Sequence, residues 1–396
     1  MNSRLLCAAL AASFATTVAS QDVVAVKAGK LLTISGPVLE NQIVVIENGR
    51  ITAIAAADGF EIPWTAKVID ASDKVVLPTW VIAHSDGGMG HGGNNESMQN
   101  VSWLSVADAV DPAAEYFEDA LRAGVGTIHV MPGNNTLLGG SGLVLRPFGR
   151  TVEDMTMSAN TGIKMSLQNQ RGGRLQQIRE LRRALADTRD YMADFERRKK
   201  EFEQEQEAGA IPADKKWTEE YDRTKKAAIA LIEKKSKGWL YVPTAAEVPE
   251  ALRLSQELDL QIVLGQNIDE GIAMVQRFGK PVVLDDQIEY YEEDEETKQQ
   301  KKICTARMLA DGGTTFALTL GSNGPTSYPW WQLGTCVRNG VDRRTALEAL
   351  TIVPATILGL EDQIGTVAVG KLGNLQILTG DPMQATTWVD TVLLEG

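Results

Sequence analysis

Histidine is scarce in this sequence, with only His84, His91 and His129 among 396 residues. A site that needs four imidazoles from one chain is therefore excluded. Positive charge is also in short supply, because 39 Lys and Arg residues stand against 52 Asp and Glu residues, a formal net charge of −13. Phosphate groups reward the opposite sign, so nucleic acid and anionic membrane surfaces are disfavoured as partners.

Cysteine and long apolar runs are scarce as well. The first twenty residues combine Arg4, a short apolar stretch and a small-residue end, which is typical of a cleaved signal peptide. We expect residues 1–20 to be a signal peptide, with an N-terminal core helix as the alternative. The protein would then be exported, periplasmic or secreted, with no membrane insertion after cleavage. Cleavage leaves Cys304 and Cys336, either as one disulfide or as two buried thiols.

Strand-like segments occupy both ends of the chain. Residues 22–76 are strand-rich, and Asn48-Gly49 between two β-runs is a strong hairpin signal. The tail contains the strand-like segments LGNLQILTGD and TTWVDTVLLEG. We expect residues 22–76 and 362–396 to form one composite β-sandwich domain.

Residues 77–361 show a different rhythm, in which short apolar runs alternate with helical stretches and end in polar or glycine residues. This βα repetition predicts an α/β barrel, whose strand-closing residues ring the C-terminal face. Residues 171–238 interrupt the rhythm with apolar residues at helical spacing. They predict an inserted long amphipathic helix and a second helix ending at Lys237, packed on the barrel. A lid or a partner surface is the alternative.

Four segments resemble the amidohydrolase superfamily. The segment VVLPTWVIAHSDGG resembles the strand-one motif of this superfamily. The segment GVGTIHVMPGNNTLLGGSG resembles the second strand and loop of its imidazolonepropionase-like branch. The segment LTLGSNGP resembles the strand-eight motif. The stretch RRTALEALTIVPATILGLEDQIGTVAVGKLGNLQIL resembles the closing segment of the superfamily, which is highly specific to it. The resemblance implies a (β/α)8 TIM-type barrel with a flanking β-sandwich. It also implies hydrolysis of a non-peptide C–N bond, in an amide or cyclic amide, by a metal-activated water.

The metal ligands that the resemblance implies are mostly replaced. The strand-one His-x-His is His84-Ser85-Asp86, so a carboxylate stands in place of the second imidazole. At strand eight, Asn323 occupies the position of the acid that orients the water in the family. A neutral amide accepts no proton, so Asn323 cannot serve as a general base.

Three further strand ends depart from the family pattern. The strand-three glutamate is replaced by an amide, Gln168 or Asn169, and the strand-five histidine by Gln266. The strand-six histidine position falls on Asp285 or Asp286. Amides are poor zinc ligands compared with imidazole or thiolate, so a tetrahedral histidine-rich site cannot be rebuilt.

The remaining candidates form a reduced site. His84 and Asp86 are the candidate ligands of a divalent, zinc-type metal, and with Asp285 or Asp286 they could hold a hard ion through oxygen atoms. Asp86, Asp285 and Asp286 are the candidate catalytic residues. The candidate pocket residues are His84, Asn323, Gln266, Trp330 and Trp331.

The pair Trp330 and Trp331 follows strand eight with Tyr328, and two interpretations remain open. The rings form a binding wall over the barrel mouth, or they pack against the helical insertion. Lys164, on strand three, could in principle bridge metals after carboxylation. We expect instead that it faces solvent or an ion pair. His129 is expected to be a hydrogen-bonded barrel histidine, and His91 a solvated loop residue.

Two functions compete. The first is an exported metal-dependent hydrolase of C–N bonds with an altered metal site. The second is a pseudoenzyme, a ligand-binding or scaffold protein that uses the old pocket without metal, because a shared fold does not establish shared chemistry. Both imply a small-molecule ligand, and the resemblance is compatible with a homodimer.

Overall fold

The computed structural model describes residues 23–90, 98–168, 173–293, 298–321 and 324–396. The predicted signal peptide, the predicted site residues Asn169 and Asn323, and the predicted loop residue His91 lie outside these ranges. Among the described residues, no helix combines the length and apolar character needed to cross a membrane.

Strands from both ends of the chain share one six-stranded sheet. Its strands are β1 (Val23–Leu32), β2 (Val38–Glu47), β3 (Arg50–Ala56), β4 (Lys67–Pro78), β15 (Leu375–Leu378) and β16 (Val389–Leu393). The order is β16-β15-β4-β1-β2-β3. The predicted hairpin joins β2 to β3, and its turn residues Asn48 and Gly49 have positive φ values of 51° and 81°. The composite sheet is therefore present, while its sandwich arrangement and domain bounds stay predictions.

The second large sheet has eight strands. They are β5 (Trp80–Ser85), β6 (Val125–Val130), β7 (Leu138–Leu145), β8 (Thr156–Ser166), β9 (Gly238–Val242), β10 (Leu260–Leu264), β11 (Val282–Leu284) and β14 (Phe316–Ala317). The strands follow one another in chain order and form a nearly closed barrel. One strand departs from the expected βα pattern, because β7 runs antiparallel to both β6 and β8.

The antiparallel strand β7 changes the numbering of the later strands. The βα repetition in the sequence does not include β7, so Lys164 lies on the fourth barrel strand instead of the third. For the same reason Gln266 follows the sixth strand and Asp285 the seventh. The connection from β6 to β7 contains no helix and that from β7 to β8 only the single helical turn Val152–Met155, so βα counting passes over this strand.

The edges of the barrel sheet, β5 and β14, are bridged by another part of the chain. The amide of Val81 donates to the carbonyl of Leu350 at 2.9 Å, and the amide of Leu318 donates to the carbonyl of Ala349 at 2.8 Å. Residues 349–350 therefore fill the seam between the first and last strands.

Ten α-helices occur in the described residues. They are α1 (Glu115–Arg122), α2 (Val152–Met155), α3 (Arg174–Glu207), α4 (Lys226–Ile232), α5 (Val248–Glu257), α6 (Ile272–Val275), α7 (Thr305–Asp311), α8 (Pro329–Arg338), α9 (Arg343–Glu348) and α10 (Ile352–Leu358). A separate hairpin, β12 (Glu289–Glu293) and β13 (Gln300–Cys304), follows β11.

The barrel interior is filled by side chains. Ala83, Trp239, Val263 and Ala317 share one apolar cluster with Ile357 of α10. His129 is fully buried in the same region, with Nδ1 2.8 Å from the Ala83 carbonyl and Nε2 2.6 Å from Thr161 Oγ1. Burial lowers its pKa to about 3, so the ring is neutral. The prediction of a hydrogen-bonded barrel histidine is confirmed.

The helical insertion differs from its prediction at the second helix. The first helix, α3, is 34 residues long and spans about 50 Å at 1.5 Å per residue. The second, α4, ends at Ile232 and has only seven residues. The intervening chain instead packs rings against α3, with Tyr221 at 4.3 Å and Trp217 at 5.8 Å from Phe195 between ring centroids. These aromatic contacts replace helix formation in that part of the insertion.

Ion pairs attach the first half of α3 to the barrel. Arg182 contacts Glu250 of α5, and Arg189 Nη2 lies 2.7 Å from Glu257 Oε2. Glu250 also forms an ion pair with Arg253 within α5. The charged residues of the insertion therefore hold it to the neighbouring helix rather than being uniformly solvated.

Candidate functional site

Four polar side chains meet near the C-terminal ends of the barrel strands. His84 Nε2 lies 2.5 Å from Lys164 Nζ, and that Nζ lies 5.6 Å from the centroid of the Tyr241 ring. The Tyr241 hydroxyl donates to Asp285 Oδ2 at 3.1 Å. This cluster joins strands β5, β8 and β9 to the end of β11, and we call these four residues the barrel cluster.

His84 is neutral in this setting. Burial lowers its pKa well below the usual value, and the charges of Lys164 and His129 lower it further. A neutral ring can accept a hydrogen bond through Nε2, so Lys164 donates to the nitrogen that would otherwise ligate a metal.

Asp285 and Tyr241 hold their protons more tightly than usual. Burial and then the neighbouring Asp286 carboxylate raise the pKa of Asp285, because both disfavour its charged form. Burial and Asp285 together raise the pKa of Tyr241. The hydroxyl of Tyr241 is therefore a hydrogen-bond donor, and the carboxyl of Asp285 is a candidate for proton exchange.

Asp286 has different neighbours. Its Oδ2 accepts a hydrogen bond of 2.7 Å from Thr326 Oγ1, and its carbonyl accepts one of 2.6 Å from Gln332 Nε2. Gly321 packs closely against it, since a methyl group there would come within 2.4 Å of Asp286 Oδ2. Asp286 is thus held by residues that follow the last barrel strand.

The predicted site residues separate into two groups. His84 and Asp285 lie in the barrel cluster, and Asp286 is adjacent to it. Asp86 follows β5 as an exposed residue, and Gln266 is half-buried after β10. Asn323 lies outside the described residues.

Asp86 acts on a neighbouring tyrosine. Tyr116 shares a 2.7 Å hydrogen bond with Ser85, and burial followed by the charge of Asp86 raises the pKa of Tyr116 to about 12. The hydrogen bond with Ser85 lowers the pKa of Tyr116, but by less than burial raises it. Asp86 therefore places negative charge beside the end of the first strand.

The aromatic pair lies at the start of α8. Trp330 stacks on Tyr328 with centroids 6.0 Å apart and contacts Trp331 edge-on at 5.8 Å. Trp331 also faces the Arg338 guanidinium at 5.8 Å. Trp330 lines a groove on the barrel flank together with Tyr116 and Trp388. A wall of the barrel mouth formed by this pair stays a prediction.

Lys164 is more buried than the sequence indicates. Exposure to solvent, one of its two expected settings, is wrong, because Lys164 is fully buried and contacts His84. The ion-pair alternative stays a prediction. The signal was available in strand alternation, because Ile163 and Met165 pack in the outer hydrophobic core and Lys164 must then point to the other face. The same alternation along β9 predicts that Tyr241 points to the same face of the sheet as Lys164.

Candidate metal ligands are sparse among the described residues. Within them, no group of three or more His, Cys, Asp and Glu side chains is arranged to hold a metal ion. The imidazole nitrogen of His84 is engaged by Lys164. Zinc sites in proteins use three or four nitrogen, sulfur or carboxylate ligands, and His84 with Asp86 supplies two. A divalent metal held by these residues stays a prediction.

Comparison with known proteins identifies the fold. No family model and no curated protein matches the chain. Among solved structures, an amidohydrolase from Thermotoga maritima has a TM-score of 0.79 and 24% identity, with coverage of 94% of this chain and 98% of that one. The chain therefore has the α/β barrel fold of an amidohydrolase.

Two more distant structures share the fold. A prolidase complexed with N-methylphosphonate-L-proline has a TM-score of 0.56 and 16% identity over 94% of this chain and 98% of that one. Molinate hydrolase has a TM-score of 0.53 and 16% identity over 95% and 94%. The agreement extends over nearly the full length of all three relatives.

Proposed function

We propose that this protein binds a small molecule at the mouth of an amidohydrolase-type barrel without using a catalytic metal. The observation that carries the proposal is the 2.5 Å contact between Lys164 Nζ and His84 Nε2. The lysine nitrogen donates to the lone pair that a metal would use, so the protein's own amine takes the place of the cation.

The chemistry of the barrel cluster supports this reading. A neutral His84 and a protonated Tyr241 add no negative charge that would attract a divalent ion, and burial disfavours the charged form of Asp285. Gln266 and Gln168 add amide groups at two other strand ends. Such a set suits hydrogen bonding to a polar, amide-like ligand.

Hydrolysis of a C–N bond, in an amide or cyclic amide, is the second candidate function. It is favoured by the presence of titratable side chains at the strand ends where barrel enzymes carry out their chemistry. Asp285, with its raised pKa, would exchange the proton. Asp86 and His84 would hold an altered divalent-metal site.

Metal analysis combined with turnover separates the two candidates. Purified full-length protein is analysed for zinc, manganese and iron, and assayed with Xaa-Pro dipeptides, N-acyl amino acids and cyclic amides. We expect less than stoichiometric metal and no turnover. Stoichiometric metal that disappears in Asp86→Ala, but persists in the control Asp58→Ala at a distant exposed position, would establish the hydrolase instead.

We also propose that the chain is exported and that cleavage occurs near Ser20. The proposal rests on the charged, apolar and small-residue pattern of residues 1–20. Expression of the full chain with a C-terminal tag, fractionation and N-terminal sequencing test it. A mature form that begins near Gln21 outside the cytoplasm is expected, and a full-length cytoplasmic form contradicts it.

A further inference from the structure

A groove of about 830 Å³ runs along the outside of the barrel, where its first and last strands meet. Its floor contains Trp80 and Ile82 of β5 and Leu320 after β14. Helix α1 and the beginning of α8 form two sides, and residues 382–389 contribute to a third. The volume lies within the range of about 300–1,000 Å³ that is typical of small-molecule sites.

Aromatic rings dominate the walls of this groove, which we call the seam groove. Tyr328 and Trp388 line it although they are 52% and 66% exposed, and Trp330 stacks on Tyr328 at an interplanar angle of 27°. Tyr116 lines the groove from α1. Exposed rings gathered in one concave surface indicate a binding site, whereas single exposed rings need no explanation.

The charged residues that line the seam groove are Glu115, Asp119 and Arg122, which give it a formal charge of −1. Arg122 pairs with Asp119 at 3.1 Å and with Glu118 at 2.5 Å, so its charge and that of Asp119 offset each other and Glu115 supplies the negative charge of the groove. Glu115 is exposed, and the chain as a whole carries a formal charge of −13. An anionic ligand is therefore disfavoured here, and a cation is favoured.

We propose that the seam groove binds an organic cation with a flat, apolar body, such as an arylalkylammonium. The rings of Trp388 and Trp330 attract the positive charge through their π faces and bury the apolar body. The Glu115 carboxylate pairs with the ammonium group. This site is outside the barrel mouth, so it goes beyond the proposed function and stands independently of metal content or turnover.

Three probes distinguish the two recognition elements. Phenylbutylammonium carries both the ring and the cation, phenylbutanoate replaces the cation with an anion, and butylammonium lacks the ring. Binding is measured by isothermal titration calorimetry and by tryptophan fluorescence. We expect phenylbutylammonium to bind at least about tenfold more tightly than either matched probe, a difference that calorimetry resolves.

Variants connect the binding to the groove. Trp388→Ala is expected to weaken phenylbutylammonium binding at least about tenfold, and Trp388→Phe, which keeps a ring, to restore most of it. Glu115→Gln should weaken binding of the cation without weakening that of phenylbutanoate. The control is Trp64→Ala, because Trp64 is 95% exposed and lies outside the groove.

Four results would overturn the proposal. The first is the absence of measurable phenylbutylammonium binding to the folded wild-type protein. The second is equal affinity for the cationic and anionic probes, and the third is an equal loss of affinity in Trp64→Ala. The fourth is a concentration-dependent dimer, observed by analytical sedimentation, that is lost in Trp388→Ala. The groove would then be covered by a second copy of the chain.

Discussion

Lys164 Nζ lies 2.5 Å from His84 Nε2, although the two residues are 80 positions apart in the chain. The contact joins the first and fourth strands of the barrel sheet. It places a basic side chain against the only histidine that sequence analysis assigned to a metal.

Replacement of the buried lysine should destabilise the protein. Lys164→Met removes the donor to His84 and leaves a buried ring nitrogen unsatisfied, which costs about 1–3 kcal/mol. Urea denaturation measures the free energy of unfolding. The control is Lys235→Met, because the Lys235 side chain is 71% exposed and its surface ion pair contributes about 1 kcal/mol or less. Equal effects of the two substitutions would contradict the structural role of Lys164.

The pH dependence of stability should reveal Asp285. The pKa of Asp285 is raised in the folded state above its ordinary value of 3.8. At pH values between these two pKa values, the folded protein keeps a proton on Asp285 that the unfolded chain has released. Charged Asp285 therefore destabilises the fold above its folded-state pKa. That cost is relieved as the pH falls through the raised pKa toward the ordinary value.

Asp285→Asn tests this sign. We expect the variant to be at least as stable as the wild type at neutral pH, with its relative advantage shrinking as the pH falls through the window. Chemical denaturation at several pH values measures the difference. A difference that is independent of pH would contradict the raised pKa.

Two glycine substitutions should act in opposite directions. In Gly321→Ala the added methyl would lie 2.3 Å from Thr326 Oγ1 and 2.4 Å from Asp286 Oδ2, a clash that costs about 1–3 kcal/mol. In Gly334→Ala the nearest atom, the Met383 carbonyl oxygen, is at an ordinary 3.6 Å. That site lies within α8, where alanine is favoured over glycine by about 1 kcal/mol. Thermal denaturation of both variants checks the two signs.

The insertion should depend on its aromatic contacts. Phe195 is buried and its ring contacts Tyr221 and Trp217. Phe195→Ala removes the partner of both rings at a buried position, at a cost of about 3–5 kcal/mol. Limited proteolysis should then cleave residues 208–225 faster than in the wild type. Phe148→Ala, at a 68% exposed position, is the control and should leave the cleavage rate unchanged.

The two described cysteines should react slowly. Cys304 and Cys336 are free and buried, and burial raises the pKa of both thiols. The thiolate is the reactive form, so labelling with a thiol reagent should be slow in the folded protein and rapid in denaturant. Rapid labelling of the folded protein would contradict the burial of these side chains.

Local sequence patterns predicted much of the architecture. The hairpin at Asn48-Gly49 and the long helix of the insertion both appear, because each depends on residues close together in the chain. The antiparallel strand β7 was missed, since a strand in a hairpin does not follow the βα repetition that predicted the barrel. Its pairing with β6 and β8 is a long-range choice between strands.

The site was only partly predictable for the same reason. His84 and Asp285 were identified from strand ends, and the scarcity of histidine excluded a multi-imidazole centre from composition alone. The tertiary structure decided that Lys164 is buried and that its amine meets His84, while the Tyr241 hydroxyl meets Asp285. Composition and periodicity specify which groups are present and which face of a strand they occupy. Which groups meet depends on the closure of the barrel, because that closure brings strands far apart in the chain to one interior.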